Sequence, residues 1–189
     1  MTNDELRVAI STLDSLRREL LIKEGDDPAD ATEYFLNASA DTLEIDEAEA
    51  KLRYHYSPLY RKFLQIHNGW YGFWPDWSLT GVRREDTEKM YEDIDENLNR
   101  LVKVVGREDL DKLPQLEKES PERILITNHP IIGTDFNGSF LVLDQNRIDI
   151  DGEPEIAWVI YLNHVERRWK TFAELLQNAI ADTRFRLQD

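Results

Sequence analysis

The sequence predicts an α+β domain, a largely antiparallel sheet covered by helices, with an extra helical segment at its N-terminus. Two observations predict it. Helical apolar periodicity runs through the first part of the chain and returns at its end. Between these lie short apolar runs bounded by turn residues, which is the texture of clustered strands. Helices first, then strands, then a closing helix is an order that packs as layers of sheet and helix. Residues 1–45 are assigned to an N-terminal helical extension packed on the main domain, and 46–189 to the α+β domain itself.

The elements follow in order. Leu6, Ala9, Ile10, Leu13, Leu16 and Leu20 repeat at helical spacing over 4–22, and Thr2 with Glu5 is spaced for a capping box. Residues 24–50 hold ten acids and no base, with a Gly-Asp-Asp-Pro break at 25–28. A loop is expected there, with a short helix around 31–37 (Tyr34, Phe35) and another helix from Asp46 to about Tyr54. Ser57 and Pro58 then start a helix, as N-cap hydroxyl and N1 proline. Tyr60, Phe63, Leu64 and His67 form its apolar face, and Asn68-Gly69 stops it. The texture then turns aromatic and strand-like, with a Pro75-Asp76 turn between Trp70–Trp74 and Trp77-Ser78-Leu79-Thr80, so a hairpin is expected.

Beyond Val82, Asp86 is placed to cap a long helix whose buried face is Met90, Ile94, Leu98, Leu101 and Val105, ended by Gly106. Residues 107–122 read as a charged connector. Strands are expected at 124–127, 140–143 and 156–162. The pieces between them, with Gly133, Asp135, Asn137 and Gly138 in one and 144–154 as the other, read as turns. Thr171 and Glu174 form a capping box for a last helix with Phe172, Leu175, Leu176, Ala179 and Ile180 inward.

Composition bounds the chemistry. The 189 residues include no cysteine, which excludes a disulfide scaffold, a thiol nucleophile and a Cys-ligated zinc site. No apolar run approaches the roughly 20 residues that span a bilayer. The opening MTNDELRVAI lacks the basic-then-apolar layout of a signal peptide, so a cytoplasmic location is expected. The 38 acids against 23 bases leave a net charge of −15. Nucleic acid is a poor partner for such a chain, because phosphate affinity comes mainly from Lys and Arg. A basic protein fits better, since opposite fields steer association. Plain solubility accounts for the same charge.

The usual catalytic signatures are missing. His55, His67, His129 and His164 form no short metal-ligand spacing, and His67 sits on an apolar helix face where packing accounts for it. The run Asp149-Ile150-Asp151-Gly152-Glu153 resembles part of a calcium loop, but its glycine falls in the wrong place. No phosphate-loop lysine follows Gly133 and Gly138, and there is no Gly-x-Ser-x-Gly elbow. No catalytic residue, cofactor or metal is assigned. The candidate partner-binding residues are Trp70, Trp74, Trp77, Glu85, Glu88, Glu92, Asp135, Asp149 and Asp151. Any one of the three tryptophans can fill the core instead, and at least one is expected to stand exposed. The acids of 85–96 and 135–155 are the expected binding face, although Glu92, Asp93, Asp95 and Glu96 also read as an ordinary solvated helix face.

Four pieces together resemble a known family. They are the proline-started helix YRKFLQIHNGW, the strand WSLTGV, the strand–Gly–strand piece ILITNHPIIGTDFNGSFLVLD and the terminal WKTFAELLQNAI. Their order and spacing over about 46–181 resemble the SUKH superfamily (Smi/Knr-like). Two features depart from it: Ser57-Pro58 stands where Leu-Pro is common, and the first 45 residues exceed the minimal domain. The resemblance implies an α+β fold and a non-enzymatic role. Many bacterial members are immunity proteins that bind a toxin domain, often a nuclease, and block it; others are regulatory or scaffold interaction modules. It also implies a structural role for Asn68 and Gly69 as a helix stop, and Gly133 is grouped with them.

Overall fold

The computed structural model describes residues 1–25, 36–105, 122–160 and 164–188. Helix α1 (Asn3–Glu24) begins at the expected capping box: the Glu5 N–H donates to Thr2 Oγ1 at 3.2 Å and the Thr2 N–H to Glu5 Oε2 at 2.7 Å. It ends at Gly25 in the left-handed region. Helix α2 (Thr42–Leu52) starts four residues before the expected Asp46. Asp41 and Glu44 make a second capping box that the acidic run concealed (Glu44 N–H to Asp41 Oδ1, 2.9 Å). Helix α3 (Pro58–Ile66) is capped by Ser57, whose Oγ accepts the Tyr60 N–H at 2.9 Å.

The strands are β1 (Trp70–Trp74), β2 (Trp77–Leu79), β3 (Ile131–Thr134), β4 (Phe140–Ile148), β5 (Pro154–Ile160) and β6 (His164–Trp169). They form one six-stranded sheet in sequence order, with every neighbour antiparallel. Helix α4 (Glu88–Val105) lies between β2 and β3 in the chain, and α5 (Phe172–Gln188) closes it. The expected α+β class, with an antiparallel sheet covered by helices, is the fold observed.

Several expected boundaries move. The apolar run 124–127 is not a strand; it enters a 3-10 turn at Ile126–Asn128, closed by the Asn128 N–H on the Leu125 carbonyl at 2.9 Å. Its Ile124 and Ile126 are buried under α4, so the run is apolar because it packs, not because it pairs. The pairing falls instead to β3, where turns were expected. Likewise β4 continues through Ile148 and β5 starts at Pro154, so the turn within 144–154 shrinks to 149–153. Strand β6, HVERRW, was missed outright. It is an edge strand whose exposed Glu166 and Arg167 dilute the apolar signal and discourage pairing with other chains. The expected helix at 31–37 falls on residues outside those described, save that Leu36 forms a bridge to Trp70. The connector expected at 107–122 also lies outside them, apart from Glu122. So do the side chains of Asp86, Leu101 and Val105; the described start of α4 follows a 3-10 turn, Arg84–Thr87.

The pleat of β4 sorts the core into two. Leu141 and Leu143 face one side, with Trp169, and meet Tyr60 and Phe63 of α3, Phe172 and Leu176 of α5, and Leu6, Ile10 and Leu13 of α1. Phe140 and Val142 face the other and meet Ile94 of α4 with Ile124 and Ile126. The sheet is therefore the middle of three layers. Thr171 caps α5 through the Glu174 N–H at 3.2 Å, and Glu174 reaches back to the Lys170 N–H at 2.7 Å, one residue short of a closed capping box.

Candidate functional site

Asn68 is buried and holds three segments together. Its Oδ1 accepts the Val82 N–H at 2.6 Å, its N–H donates to the Ala38 carbonyl at 3.1 Å, and its carbonyl accepts Asn37 Nδ2 at 3.0 Å. Gly69 follows at φ +90°, and a Cβ there would meet Thr87 Cγ2 at 2.8 Å and the Leu79 carbonyl at 2.9 Å. Helix α3 therefore ends on a buried clip, and β1 leaves it at a fixed angle. Gly133 in β3 is equally tight: a Cβ would stand 2.7 Å from the Ser78 carbonyl of β2.

The three candidate tryptophans of the hairpin are all buried, which corrects the expectation that at least one is exposed. Trp70 belongs to the buried cluster that β1 shares with α1, α3 and α5, and meets Phe73 at 6.0 Å. Trp74 packs edge-on against Trp169 at 6.0 Å and donates from Nε1 to Asp182 Oδ2 of α5 at 2.8 Å. Trp77 packs edge-on against Trp158 at 5.5 Å. Trp70 and Trp74 share a face by alternation and Trp77 pairs opposite Trp74, so all three point to the side that α1, α3 and α5 cover.

The candidate acids divide into different kinds. Glu85, Glu88 and Glu92 are exposed and hold no hydrogen bond or ion pair among the described residues. Asp93, on the same helix, is half-buried and accepts Thr134 Oγ1 at 2.6 Å, tying α4 to β3 rather than facing solvent. Asp135 is also committed: Oδ1 takes the N–H groups of Asn137 and Ser139 at 2.8 and 2.9 Å and shapes the β3–β4 turn. Asp149 does the same for the β4–β5 turn, accepting from Asp151 and Glu153 at 2.9 and 2.8 Å. Asp151 is exposed. The two turns sit at opposite ends of β4, whose nine residues span about 30 Å. So the acids of 85–96 and 135–155 do not form one face.

Sequence reasoning missed two sites. One is a cavity of about 360 Å³ between α1, the β1–β2 hairpin and the β3–β4 turn, lined by Arg17, Tyr71, Asp76, Asp135, Phe136 and Arg186 among others. Its two cations are already engaged, Arg17 Nε by the Gly72 carbonyl at 3.0 Å and Arg186 Nε by Asp182 at 3.0 Å. The other is buried Glu49, which accepts His55 Nδ1 at 3.0 Å, the Tyr56 N–H at 2.9 Å and Arg61 Nη1 at 2.5 Å. Burial pushes its carboxyl up, but these three donors together hold it below the usual carboxylate range. Glu153 goes the other way: burial raises it, although the Leu59 N–H donates to it at 2.6 Å. It caps α3 from the far end of the chain. The helical period carried no signal for either carboxylate, because each is bound from outside its own element: Glu49 by the loop after α2 and by Arg61 of α3, Glu153 by the start of α3.

The histidines described are structural. His67 Nδ1 bonds the Asn37 carbonyl at 3.0 Å, and buried His129 accepts the Gln145 N–H on Nδ1 at 3.0 Å. That bond leaves Nδ1 without a proton to give Asp144, 4.0 Å away. Among the described residues no three His, Asp or Glu side chains are grouped to hold a metal, and no helix is long and apolar enough to cross a membrane.

The family model described as SMI1 / KNR4 family (SUKH-1) matches residues 39–178. The chain belongs to that family. No curated protein matches the sequence. The match opens just before the Asp41 cap of α2 and closes inside α5, so it takes in the Asn68 clip and the whole sheet. Helix α1 lies outside the SUKH-1 span, yet its Leu6, Ile10 and Leu13 belong to the same buried cluster as α3 and α5.

Proposed function

We propose that this SUKH-1 protein is a non-enzymatic immunity protein of the cytoplasm, which binds a basic, nuclease-type toxin domain and blocks it by occlusion. The observation that carries the reading is the exposed carboxylate row Glu85, Glu88 and Glu92, which has no ion pair among the described residues, on a chain of net charge −15. Acids without cationic partners of their own project a field that draws a positively charged surface and raises its association rate. Neither the sheet nor the helices need that row for packing: the buried side of α4 is supplied by Met90 and Ile94. Membership of a family whose domains often serve immunity points the same way.

The test is a pull-down from the native host with tagged protein at low salt, followed by mass spectrometry. Recovery of one basic domain, toxic when expressed alone and harmless with this protein, is the expected result. Recovery of signalling or housekeeping proteins instead moves the assignment to a regulatory or scaffold module.

A further inference from the structure

The row on α4 supplies charge but no apolar anchor, and interfaces draw most of their energy from a few well-packed anchors. One place on the described surface offers such an anchor. Ile150, at the apex of the β4–β5 turn, is 100 % exposed, whereas the next most exposed large apolar side chain, Leu43, is at 66 %. Turn apices favour Gly, Asn, Asp and Ser, so an isoleucine there is out of character with its local structure.

The turn that carries it is firmly built. The Asp149 N–H donates to the Glu153 carbonyl at 2.9 Å, and the Gly152 N–H to the Asp149 carbonyl at 3.1 Å. Asp149 Oδ1 closes the interior of the turn, and Glu153 Oε1 fastens its base to the N-terminus of α3 at 2.6 Å. A side chain held out on a fixed loop loses little conformational freedom when it docks. Acids outnumber bases around it: Asp151 is exposed and has no ion pair among the described residues, Arg147 is engaged by Asp144 at 3.7 Å and Glu155 at 3.5 Å, and Lys62 of α3 is the cation that acts on Glu153 at the base of the turn.

We propose that the β4–β5 turn is the anchor that holds a basic protein domain, with Ile150 filling an apolar pocket of the partner and Asp149 and Asp151 meeting its rim of Lys and Arg. This rests on the basic-partner reading above and assigns the two surfaces different work. The acids of α4 steer the encounter, helped by Asp151 at the rim of the turn, and Ile150 sets how long the complex lasts. A second copy of this chain is a poor occupant, because it would bring like charges to the same rim.

Photocrosslinking in the native host tests this, with benzoylphenylalanine placed at 150 and, separately, at exposed position 8 on α1. The expected result is an adduct from 150 to a positively charged polypeptide. With that polypeptide purified, Ile150→Ser should speed dissociation on the order of tenfold and leave association nearly unchanged. Asp151→Lys should slow association instead. An unchanged dissociation rate for Ile150→Ser overturns the proposal, as does an adduct between two copies of this chain. A basic protein crosslinked only from 8, or retained in the pull-down without any adduct, overturns the anchor and leaves the basic-partner reading standing. No adduct and an empty pull-down overturn both. Because Ile150 is fully exposed, none of these variants removes a contact from the core.

Discussion

The two faces of the sheet are built from different materials. One is covered by α1, α3 and α5 and is dense with rings: Tyr60 meets Phe172 edge-on at 5.1 Å, and Phe63 meets it at 5.4 Å. The other carries α4 and the 124–126 run, and its buried cluster is aliphatic apart from Phe140. Aromatic pairs add specific geometry to area burial, so the first face fixes the fold. The second has less to fix, and its helix turns outward a row of carboxylates that are unpaired among the described residues. The difference teaches where this domain spends its packing and where it keeps surface in reserve.

The largest expected effect breaks that comparison if it fails. Phe63→Ala, at a fully buried position against the rings of Tyr60 and Phe172, should cost about 3–5 kcal/mol. Ile94→Ala, on the thinner face, should cost about 2 kcal/mol, toward the low end for a buried aliphatic. Urea denaturation of both variants checks it. Equal losses would mean that the two faces contribute alike.

The next expected effect lies at the hinge between helix and sheet. A Cβ at Gly81 lands on the Asn68 carbonyl and Oδ1. Gly81→Ala should therefore cost about 1–3 kcal/mol by overpacking, although Ala is otherwise the easier residue to order. Asn68→Ala should cost a similar amount, because the half-buried Val82 N–H loses its acceptor. The double variant should cost less than the sum, since the alanine at 68 removes the Oδ1 that the new methyl strikes.

These sites also show what the sequence could and could not tell. Asn68-Gly69 was readable as a helix stop because its cause is local: a left-handed residue at a helix end. The caps at Thr2, Ser57 and Thr171 were readable for the same reason, and so was the apolar face of α5. What escaped was long-range. Gly81 is glycine because a side chain 13 positions earlier occupies its space. Strand β6 is a strand because β5 pairs with it, not because its own residues alternate cleanly. The run 124–127 read as a strand because short apolar runs do not distinguish pairing from packing. The three tryptophans were ambiguous for a related reason: alternation puts them on one face, and whether that face is covered is decided by helices far along the chain. The acids 85–96 and 135–155 were joined into one face because the sequence does not show that β4 separates its two turns.

A buried and a half-buried carboxylate give smaller effects of opposite sign. Glu49 is held below its usual range, so its contribution is fully present above the unfolded value of about 4.5 and is lost as pH falls through the folded one. Glu153 is raised, so its ionised form opposes folding at neutral pH, and that cost disappears as pH falls through its folded value. Glu49→Gln should lower the urea midpoint at pH 7 and close the gap with the parent at acid pH. Glu153→Gln keeps an acceptor for the Leu59 N–H and should match or exceed the parent at pH 7, with the advantage fading toward acid. Midpoints followed from pH 7 to well below the unfolded carboxylate value separate the two; slopes of the same sign would reject the assignment.

The smallest expected effect sharpens the comparison most. Glu88 and Glu92 contribute little to the fold by position: both are exposed, and neither makes a hydrogen bond or ion pair among the described residues. Glu88 gains slightly from the dipole at the start of α4, and both lose slightly from repulsion on a chain of net charge −15. The terms oppose each other, so Glu88→Gln with Glu92→Gln should leave stability within about 0.5 kcal/mol of the parent. The same double variant should slow association with a basic partner and flatten its salt dependence. A stability loss above about 1 kcal/mol would show that the row is part of the scaffold, and the outer face of α4 would then be structural like the aromatic face opposite. Unchanged stability with weakened, less salt-sensitive association would mean that this charge acts outward, on something other than the chain that carries it.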